Sequence, residues 1–319
     1  MKTVGLYGRR ILVTGGCGFI GSHLVHALWR DNEVIVIDDL SSGRLSNLGN
    51  CQVRMHQCSI LDAIDGLFAD VEIVFHTAAD VAVQGSIDDP CHDARVNVEG
   101  LLRVLEACRR HRVKRFVFSA SSAAYGQAVS LPINEDHPLR PDSPYAVGKL
   151  AGEYYGRLYH DLYGLEIVSL RYFNVYGPRQ LADGPYSGVI SVFAQWVVEQ
   201  QPLVIYGDGR QTRDFVHVQD VVQANVLAAQ PGLAAHGQAI NVGTGKATSI
   251  LELARLMGGQ DLRFAPARLG DVRESVADLH QACQSLGFAP TIPLEEGLRT
   301  YLEWYKESEH LRTPTVGTS

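Results

Sequence analysis

The sequence predicts an α/β protein built on a doubly wound parallel sheet, with a smaller lobe formed by the C-terminal part of the chain. Short, nearly continuous apolar runs alternate with longer segments of helical period in the first half of the sequence. Strands that are buried on both faces of a parallel sheet have this continuous apolar character. After Arg171, prolines and glycines break the chain often, which predicts a separate lobe at the carboxyl edge of the sheet.

The composition is that of a soluble globular chain, with 319 residues of which 46% are hydrophobic and 20% charged. The net charge of −7 argues against nucleic-acid binding. No apolar run reaches the roughly eighteen residues of a membrane span, and the N-terminus lacks the apolar region of a signal peptide. The six cysteines are scattered, without a C-x-x-C pair or clustered histidines. We therefore expect no disulfide framework, no metal site and a cytoplasmic protein.

The elements follow in order along the chain. Strands are predicted in RRILVTG, EVIVIDD, VEIVFHTAA, RFVFSASSAAYG and LEIVSLRYFN. Helices are predicted in FIGSHLVHALWR and in residues 89–111, where one apolar stripe comprises Val96, Gly100, Val104, Leu105 and Cys108. A last strand in AINVGTG precedes a helix that begins near Ser249.

A glycine-rich turn lies between the first strand and the first helix, in TGGCGFIGSH. Gly15, Gly18 and Gly21 let the backbone turn tightly and approach a pyrophosphate, which the amino end of the helix favours. Asp38 ends the second strand, where a carboxylate can bind both ribose hydroxyls and repel a 2′-phosphate. These residues predict an NAD site rather than an NADP site.

Tyr145 and Lys149 lie four residues apart in SPYAVGKLAGEYY, and Pro144 suits the first turn of a helix. The spacing places both side chains on one helix face, where an ammonium lowers the phenol pKa from its usual value of about 10. Tyrosine then becomes a general base near neutral pH. In isolation this spacing also occurs on solvated helix faces, but here it follows a serine-rich turn downstream of the glycine turn.

Three motifs, GGCGFIG, Tyr145-Ala-Val-Gly-Lys149 and RYFNVYGPRQ, resemble the extended short-chain dehydrogenase/reductase superfamily. The likeness runs from about Arg9 to about Tyr305 and is greatest to nucleotide-sugar 4-epimerases of the UDP-glucose/UDP-N-acetylglucosamine type. It implies a tightly bound NAD that is reduced and reoxidised within one turnover. It also implies a homodimer joined through a four-helix bundle that includes the Tyr145 helix. Residues 1–172, with 214–245, would form a Rossmann domain for NAD, and 173–213 with 246–319 would bind the nucleotide sugar.

The resemblance also assigns roles to residues. Ser121 supplies a catalytic hydroxyl beside Tyr145 and Lys149, with Ser122 as its neighbour in the substrate site. The implied NAD contacts are Gly15, Gly18, Phe19, Ile20, Gly21, Asp38, Asp39, Ser42, Gly43, Ile60, Ala78, Ala79, Asn97, Tyr145, Lys149 and Tyr172. One departure from the family pattern is Ser59, which replaces an acidic residue that contacts adenine.

Substrate contacts are implied in the same way. Arg213 and Arg268 match two arginines that bind the diphosphate, a role suited to the guanidinium fork. The positions that hold the diphosphate, uracil and ribose are Asn174, Val189, Tyr206 and Asp271. Ser275 matches a position that touches the sugar C2 substituent, where tyrosine occurs in relatives limited to UDP-glucose and UDP-galactose. A serine leaves room for an acetamido group, so UDP-N-acetylglucosamine and UDP-N-acetylgalactosamine are the expected pair.

Two polar residues and one loop are predicted to be structural. His217 and Asp220 lie before or within a helix, which Asp220 is expected to cap. The loop NVGTGKATS lacks the spacing of a phosphate-binding loop and is interpreted as a strand end followed by a helix start.

Three functions remain to be compared. Besides the two 4-epimerase substrate pairs, a nucleotide-sugar 4,6-dehydratase would need an Asp-Glu pair after the catalytic hydroxyl, where this chain has Ser122 and Ala123. A non-catalytic NAD-binding regulator would typically lack the tyrosine–lysine pair that this chain keeps. The sequence therefore favours the 4-epimerase.

Overall fold

A seven-stranded parallel sheet lies at the centre of the computed structural model, which describes residues 6–180, 182, 188–267 and 272–308. The strands are β1 (Arg10–Thr14), β2 (Glu33–Asp38), β3 (Arg54–Gln57), β4 (Ile73–His76), β5 (Arg115–Ser121), β6 (Glu166–Tyr172), β7 (Asn174–Tyr176), β8 (Leu203–Tyr206), β9 (Thr212–Arg213), β10 (Phe215–His217), β11 (Gln238–Val242), β12 (Thr248–Ser249) and β13 (Leu262–Ala265). The order in the sheet is β11-β6-β5-β4-β1-β2-β3. The strand order reverses between β1 and β4, which is where sheets of this kind bind ligands.

Helices cover both faces of this sheet, and others belong to the C-terminal lobe. They are α1 (Phe19–Leu28), α2 (Val83–Asp88), α3 (Pro90–Ala94), α4 (Leu101–Arg110), α5 (Pro144–Tyr163), α6 (Val189–Val198), α7 (Val218–Ala228), α8 (Ile250–Leu256), α9 (His280–Leu286) and α10 (Leu294–Glu307). One buried cluster packs Leu24 of α1 and Val221 of α7 on one face, and another packs Val104 of α4 and Tyr159 of α5 on the other. The predicted doubly wound parallel sheet is confirmed.

The predicted elements differ from the observed ones in two places. The strand expected through Gly126 ends at Ser121, and residues 122–125 form a 3₁₀ turn that the Ser121 hydroxyl caps by accepting from the Ala123 amide. The single helix expected over 89–111 is divided into α3, a π-helical turn (Arg95–Gly100) and α4. Apolar periodicity identifies the buried face of a helix, but it does not fix the hydrogen-bond register.

The C-terminal lobe has its own apolar core, which includes Phe193, Leu203, Leu253 and Tyr301. The buried carboxylate of Asp214 joins this lobe to the sheet by accepting four hydrogen bonds from two separate segments of the chain. Its donors are the amides of Thr244, Gly245 and Ala277 and the Thr244 hydroxyl. Within the described residues, no helix is long and apolar enough to cross a membrane.

The predicted capping role of Asp220 is wrong. The cap of α7 is His217, whose Nδ1 accepts from the Gln219 amide at 3.3 Å. Asp220 lies in the first turn of α7 with no exposed surface, and its carboxylate accepts from Thr291 and Ile292 in the loop before α10. A buried carboxylate needs donors, and for Asp220 the loop before α10 supplies them.

A buried ion pair connects α5 to β6. The guanidinium of Arg171 donates to both oxygens of Glu153, at 2.9 and 2.7 Å, and the two side chains are only 5% and 7% exposed. Arg171 also donates to the Tyr125 hydroxyl, which in turn donates to Asn241 on β11. The guanidinium of Arg171 thus connects α5 and the 3₁₀ turn to the sheet, and the Tyr125 hydroxyl extends this network to the edge strand β11.

Replacing Glu153 with alanine is expected to destabilise the protein by about 3–5 kcal/mol, because the guanidinium of Arg171 stays buried without its partner. Urea denaturation measures this change. The control is Glu303→Ala, which removes an exposed ion pair with Arg299 on α10 and is expected to change stability little. Equal effects of the two substitutions would contradict the importance of the buried pair.

Candidate active site

The turn between β1 and α1 is shaped by glycines that cannot be replaced without displacing the backbone. Gly15 has a positive φ of 68°, and a side chain there would come within 2.7 Å of the Ala78 amide after β4. A side chain on Gly21, in the first turn of α1, would overlap the carbonyl oxygen of Gly15. The turn and the amino end of α1 therefore form a bare-backbone cradle of the type that accepts a pyrophosphate. Gly18, Phe19 and Ile20 lie at the start of this helix.

Asp38 lies beside this cradle at the end of β2 and is 7% exposed. Its Oδ2 accepts from the Cys17 amide at 2.8 Å and its Oδ1 from the Leu40 amide at 2.9 Å. Burial raises the pKa of Asp38, and these amide hydrogen bonds oppose the increase. The carboxylate is thus fixed against the glycine turn, with Gly43 so close that a side chain there would approach Oδ1 within 2.7 Å.

The other predicted cofactor residues lie in loops along the same edge. Asp39 and Ser42 are exposed after β2, while Ile60 is buried after β3. The amide of Ser59, the residue that departs from the family pattern, donates to Asp62 at 2.8 Å. Tyr172 ends β6, and its hydroxyl is engaged inside the protein with Ser119 and Asn225. A contact of Tyr172 with a cofactor would therefore not need its hydroxyl.

The loop that follows β4 contains Ala78 and Ala79, and Asn97 holds it in place. The Asn97 amide donates to the Asp80 carbonyl at 2.9 Å, and its oxygen accepts from the Asp80 amide at 3.0 Å. Asn97 is itself 5% exposed and lies in the π-helical turn before α4. The π-helical turn, which the sequence periodicity did not predict, thus positions Asn97, one of the expected cofactor residues.

The predicted pair of Tyr145 and Lys149 lies on α5, which Ser143 caps and Pro144 begins. Lys149 is 5% exposed and donates to the Ser119 carbonyl at 2.9 Å. Its Nζ lies 5.8 Å from the centre of the Tyr145 ring. The structure therefore brings both side chains to one face of the helix, at the carboxyl end of β5.

The predicted substrate residues come from the C-terminal lobe and the turn after β5. Asn174 begins β7, Val189 begins α6, Tyr206 ends β8, Arg213 ends β9 and Ser122 begins the 3₁₀ turn. Arg268 and Asp271 lie outside the described residues. Ser275 is 9% exposed, in a segment that pairs with the loop after the 3₁₀ turn through Val276, Ala277 and Ile133.

The sequence profile of the NAD dependent epimerase/dehydratase family matches residues 11–243. The chain belongs to this family. It is 42% identical over 311 residues to a UDP-glucose 4-epimerase of Mycolicibacterium smegmatis, covering 93% of this chain and 98% of the relative. It is 41% identical over 308 residues to a putative UDP-glucose 4-epimerase of Methanocaldococcus jannaschii, covering 93% and 99%. A solved UDP-N-acetylglucosamine 4-epimerase from Methanobrevibacter ruminantium superposes with a TM-score of 0.91 at 37% identity, covering 95% and 100%.

The predictions of an epimerase and of NAD as its cofactor are confirmed by these comparisons. The residues present fit NAD, since the glycine cradle leaves space for a pyrophosphate and Asp38 stands where a ribose would lie.

The predicted direction of the Tyr145 pKa is wrong for the protein without NAD. Burial raises the pKa of Tyr145, the nearby hydroxyl of Ser121 lowers it, and the charges of Asp93 and Asp80 raise it. Lys149 is also buried, and this lowers its pKa from 10.5 to about 8. The i, i+4 spacing was predicted correctly, but burial dominates the Tyr145 pKa, and the Lys149 ammonium donates to a backbone carbonyl instead.

Two residues of the site were not found from the sequence. Arg273 makes a two-point ion pair with Asp208, at 2.9 and 3.2 Å, and so attaches the segment of Ser275 to the loop between β8 and β9. Asp93 is a buried carboxylate on α3. In the sequence, Asp93 is marked only by its position four residues before Asn97, and an acidic residue at that spacing is equally typical of an exposed helix face.

Proposed function

We propose that the protein is an NAD-dependent UDP-hexose 4-epimerase that prefers the UDP-N-acetylglucosamine and UDP-N-acetylgalactosamine pair. The observation that supports the reaction is the grouping of Ser121, Tyr145 and Lys149 at the sheet edge that holds the glycine cradle. In this proposal residues 1–172 with 214–245 bind NAD, and 173–213 with 246–319 bind the UDP-sugar.

Tyr145 takes the proton of the sugar 4-hydroxyl, and the hydroxyl of Ser121 hydrogen-bonds to the same oxygen. When bound, NAD supplies the hydride acceptor and a positive charge that favours loss of the phenol proton. Lys149 adds its own charge and holds the site in place through the Ser119 carbonyl. The C4 hydride would pass to the bound cofactor and return after the 4-keto sugar has turned over, and Tyr145 would return the proton to the 4-oxygen.

Binding of the nucleotide is separate from the reacting sugar in this proposal. Arg213 offers a guanidinium fork to the diphosphate, together with Arg268. Because the nucleotide provides most of the binding energy, the sugar can turn about the diphosphate linkage without leaving the protein. Asn174, Val189, Tyr206 and Asp271 are proposed to hold the rest of the nucleotide.

The substrate preference rests on Ser275. Its segment lies beside the loop that follows the Ser121 turn, because Val276 and Ala277 pair with Ile133 and the Arg273 amide donates to Gln127. A serine in this segment leaves more room than a tyrosine. Room admits an acetamido group but does not reject a hydroxyl, so the plain sugars are expected to react more slowly rather than not at all.

The second candidate is the UDP-glucose and UDP-galactose pair, which the names of the two curated relatives favour. A dehydratase is disfavoured, because the 3₁₀ turn after Ser121 has Ser122 and Ala123 where an acid and a base would be needed.

We further propose a homodimer that is formed through α5. The outer face of this helix exposes four apolar side chains, each 48–67% accessible, at the spacing of one stripe. They are Val147, Tyr154, Leu158 and Leu162. A stripe this long on one helix is typical of a protein–protein interface.

Tyr145→Phe is expected to abolish turnover while NAD stays bound, because only the phenol oxygen is lost. The measurement combines the rate of UDP-sugar epimerisation with the NAD content of the purified protein. Lys149→Met should reduce both quantities, since its ammonium serves both. Wild-type turnover in Tyr145→Phe would exclude this base.

Ser275→Tyr is expected to remove activity on the N-acetylated pair and to leave part of the activity on the plain pair, because a phenol ring fills the space of the acetamido group. The ratio of kcat/KM for the two pairs measures the preference in both proteins. Ser275→Ala is the control and should keep the native ratio. A native protein that favours UDP-glucose would show that Ser275 does not select the substrate.

Leu158→Arg is expected to dissociate the homodimer, because it places a charge within the apolar stripe of α5. Sedimentation velocity gives the mass of each protein. Leu256→Arg is the matched control, since Leu256 is also an exposed leucine but lies on α8 in the lobe. A native protein that sediments as a monomer would refute the proposed dimer.

A further inference from the structure

Asp93 is a buried carboxylate beside the catalytic pair that the proposed mechanism does not use. It lies on α3, is 2% exposed and packs against α5. Removing an ionised carboxylate from water is unfavourable unless a charge or a donor compensates it. The side chain of Asp93 therefore requires a partner.

One oxygen of Asp93 holds a cofactor-loop residue. Oδ1 accepts from the Asn97 amide at 2.7 Å. The same amide donates to the Asp80 carbonyl, so Asp93 is connected through Asn97 to the loop that follows β4. This contact fixes the orientation of the Asn97 amide group, since a carboxylate accepts only from its nitrogen.

The other oxygen lies over the turn of α5 that separates Tyr145 from Lys149. A methyl group at Gly148 would lie 3.4 Å from Asp93 Oδ2, which is ordinary contact distance. The carboxylate therefore lies in contact with α5 on the side of Gly148. Gly148 directly precedes Lys149 in α5, so the negative charge of Asp93 lies beside the residue next to Lys149.

Lys149 has no ion-pair partner within 4.0 Å among the residues that the structure describes. The titratable groups around its ammonium are His76 on β4, Tyr145 on α5 and Asp93 on α3. His76 is fully buried and uncharged near neutral pH, because burial lowers its pKa to about 3. Asp93 is the group whose charge opposes the effect of burial on the Lys149 pKa.

We propose that Asp93 is a positioning residue, a counter-charge that keeps the ammonium of Lys149 available to NAD and that orients Asn97 toward the cofactor loop. The use of Lys149 toward NAD rests on the proposed function, while the contacts of Asp93 do not. The carboxylate acts through its two neighbours and needs no contact with the substrate.

The charged groups that face Asp93 decide the sign of the expected effect. They are Lys149 on α5, Asp80 in the loop after β4 and His92 on α3. Burial lowers the Lys149 pKa to about 8, so its ammonium is lost as the pH rises through that value. Without the charge of Asp93, the same loss occurs at lower pH.

The test is the affinity for NAD between pH 6 and pH 10, measured by isothermal titration calorimetry on nucleotide-free protein. Native protein is expected to bind NAD more weakly above about pH 8. Asp93→Asn keeps the size and the hydrogen-bond acceptor for Asn97 but removes the charge. Its affinity should therefore begin to fall at lower pH, so that it binds severalfold more weakly than the native protein at pH 8 and nearly as tightly at pH 6.

Asp80→Asn is the matched control. Asp80 and Asp93 both raise the Tyr145 pKa, but Asp80 is not among the groups that act on Lys149. Asp80→Asn should leave the alkaline decrease in affinity where it is in the native protein. Lys149→Met should show weak binding with no alkaline decrease, which identifies the titrating group.

A loss of affinity in Asp93→Asn that is equal at every pH would indicate a structural role only and would overturn the proposal. An unchanged pH profile would overturn it as well. Asp93→Ser, which is smaller and also uncharged, gives a second reading if the asparagine variant is poorly folded. Because NAD binding needs no sugar, a native protein that fails to epimerise any UDP-hexose would refute the proposed function without affecting this test.

Discussion

The ion pair between Glu153 and Arg171 is the interaction on which the geometry of the site depends. Glu153 is on the inner face of α5, one helical turn after Lys149, and both are buried. The pair fixes how α5 lies on β6, and the same contact then fixes the height of Lys149 above Ser119. The helix can lie this close because small residues alternate with the charged ones. A side chain at Gly152 would meet the Phe118 ring within 2.6 Å.

The two buried charges of α5, on Glu153 and Lys149, differ in how they are compensated. This difference distinguishes a residue that stabilises the fold from one that is suited to catalysis. Glu153 has a full two-point partner in Arg171, which leaves it with no free oxygen. Lys149 has one carbonyl and a carboxylate that acts at longer range, and burial lowers its pKa to about 8 although the charge of Asp93 opposes the decrease. A buried cation that is incompletely paired is unfavourable for stability and is typical of a functional site. The fold tolerates it because the neighbouring ion pair holds the helix in place.

Local patterns in the sequence were enough to predict the parallel sheet, the glycine turn and the shared helix face of Tyr145 and Lys149. Each depends on residues close together in the chain, where spacing alone determines the geometry. The predictions that were wrong depend on distant contacts. Asp220 binds a loop about seventy residues away rather than its own helix end. The Tyr145 pKa is raised by burial, which depends on elements whose position sequence spacing does not predict. Asp93 reaches the site because α3 packs against α5, a contact that the sequence does not indicate.

In the proposed function, the parallel sheet keeps the residues of the redox chemistry apart from the residues that select the sugar. The carboxyl ends of β1, β2, β4 and β5 meet at one edge, so the glycine cradle, Asp38, Ala78 and Ser121 are held by the central parallel strands. Thr14 and Thr77 join the ends of β1 and β4 directly. Ser275 instead belongs to a segment that is attached by Ile133 and by the exposed pair of Arg273 with Asp208. In the proposed function, a change at Ser275 would alter the shape of the sugar site without displacing any strand end, so specificity could vary while the hydride chemistry is kept.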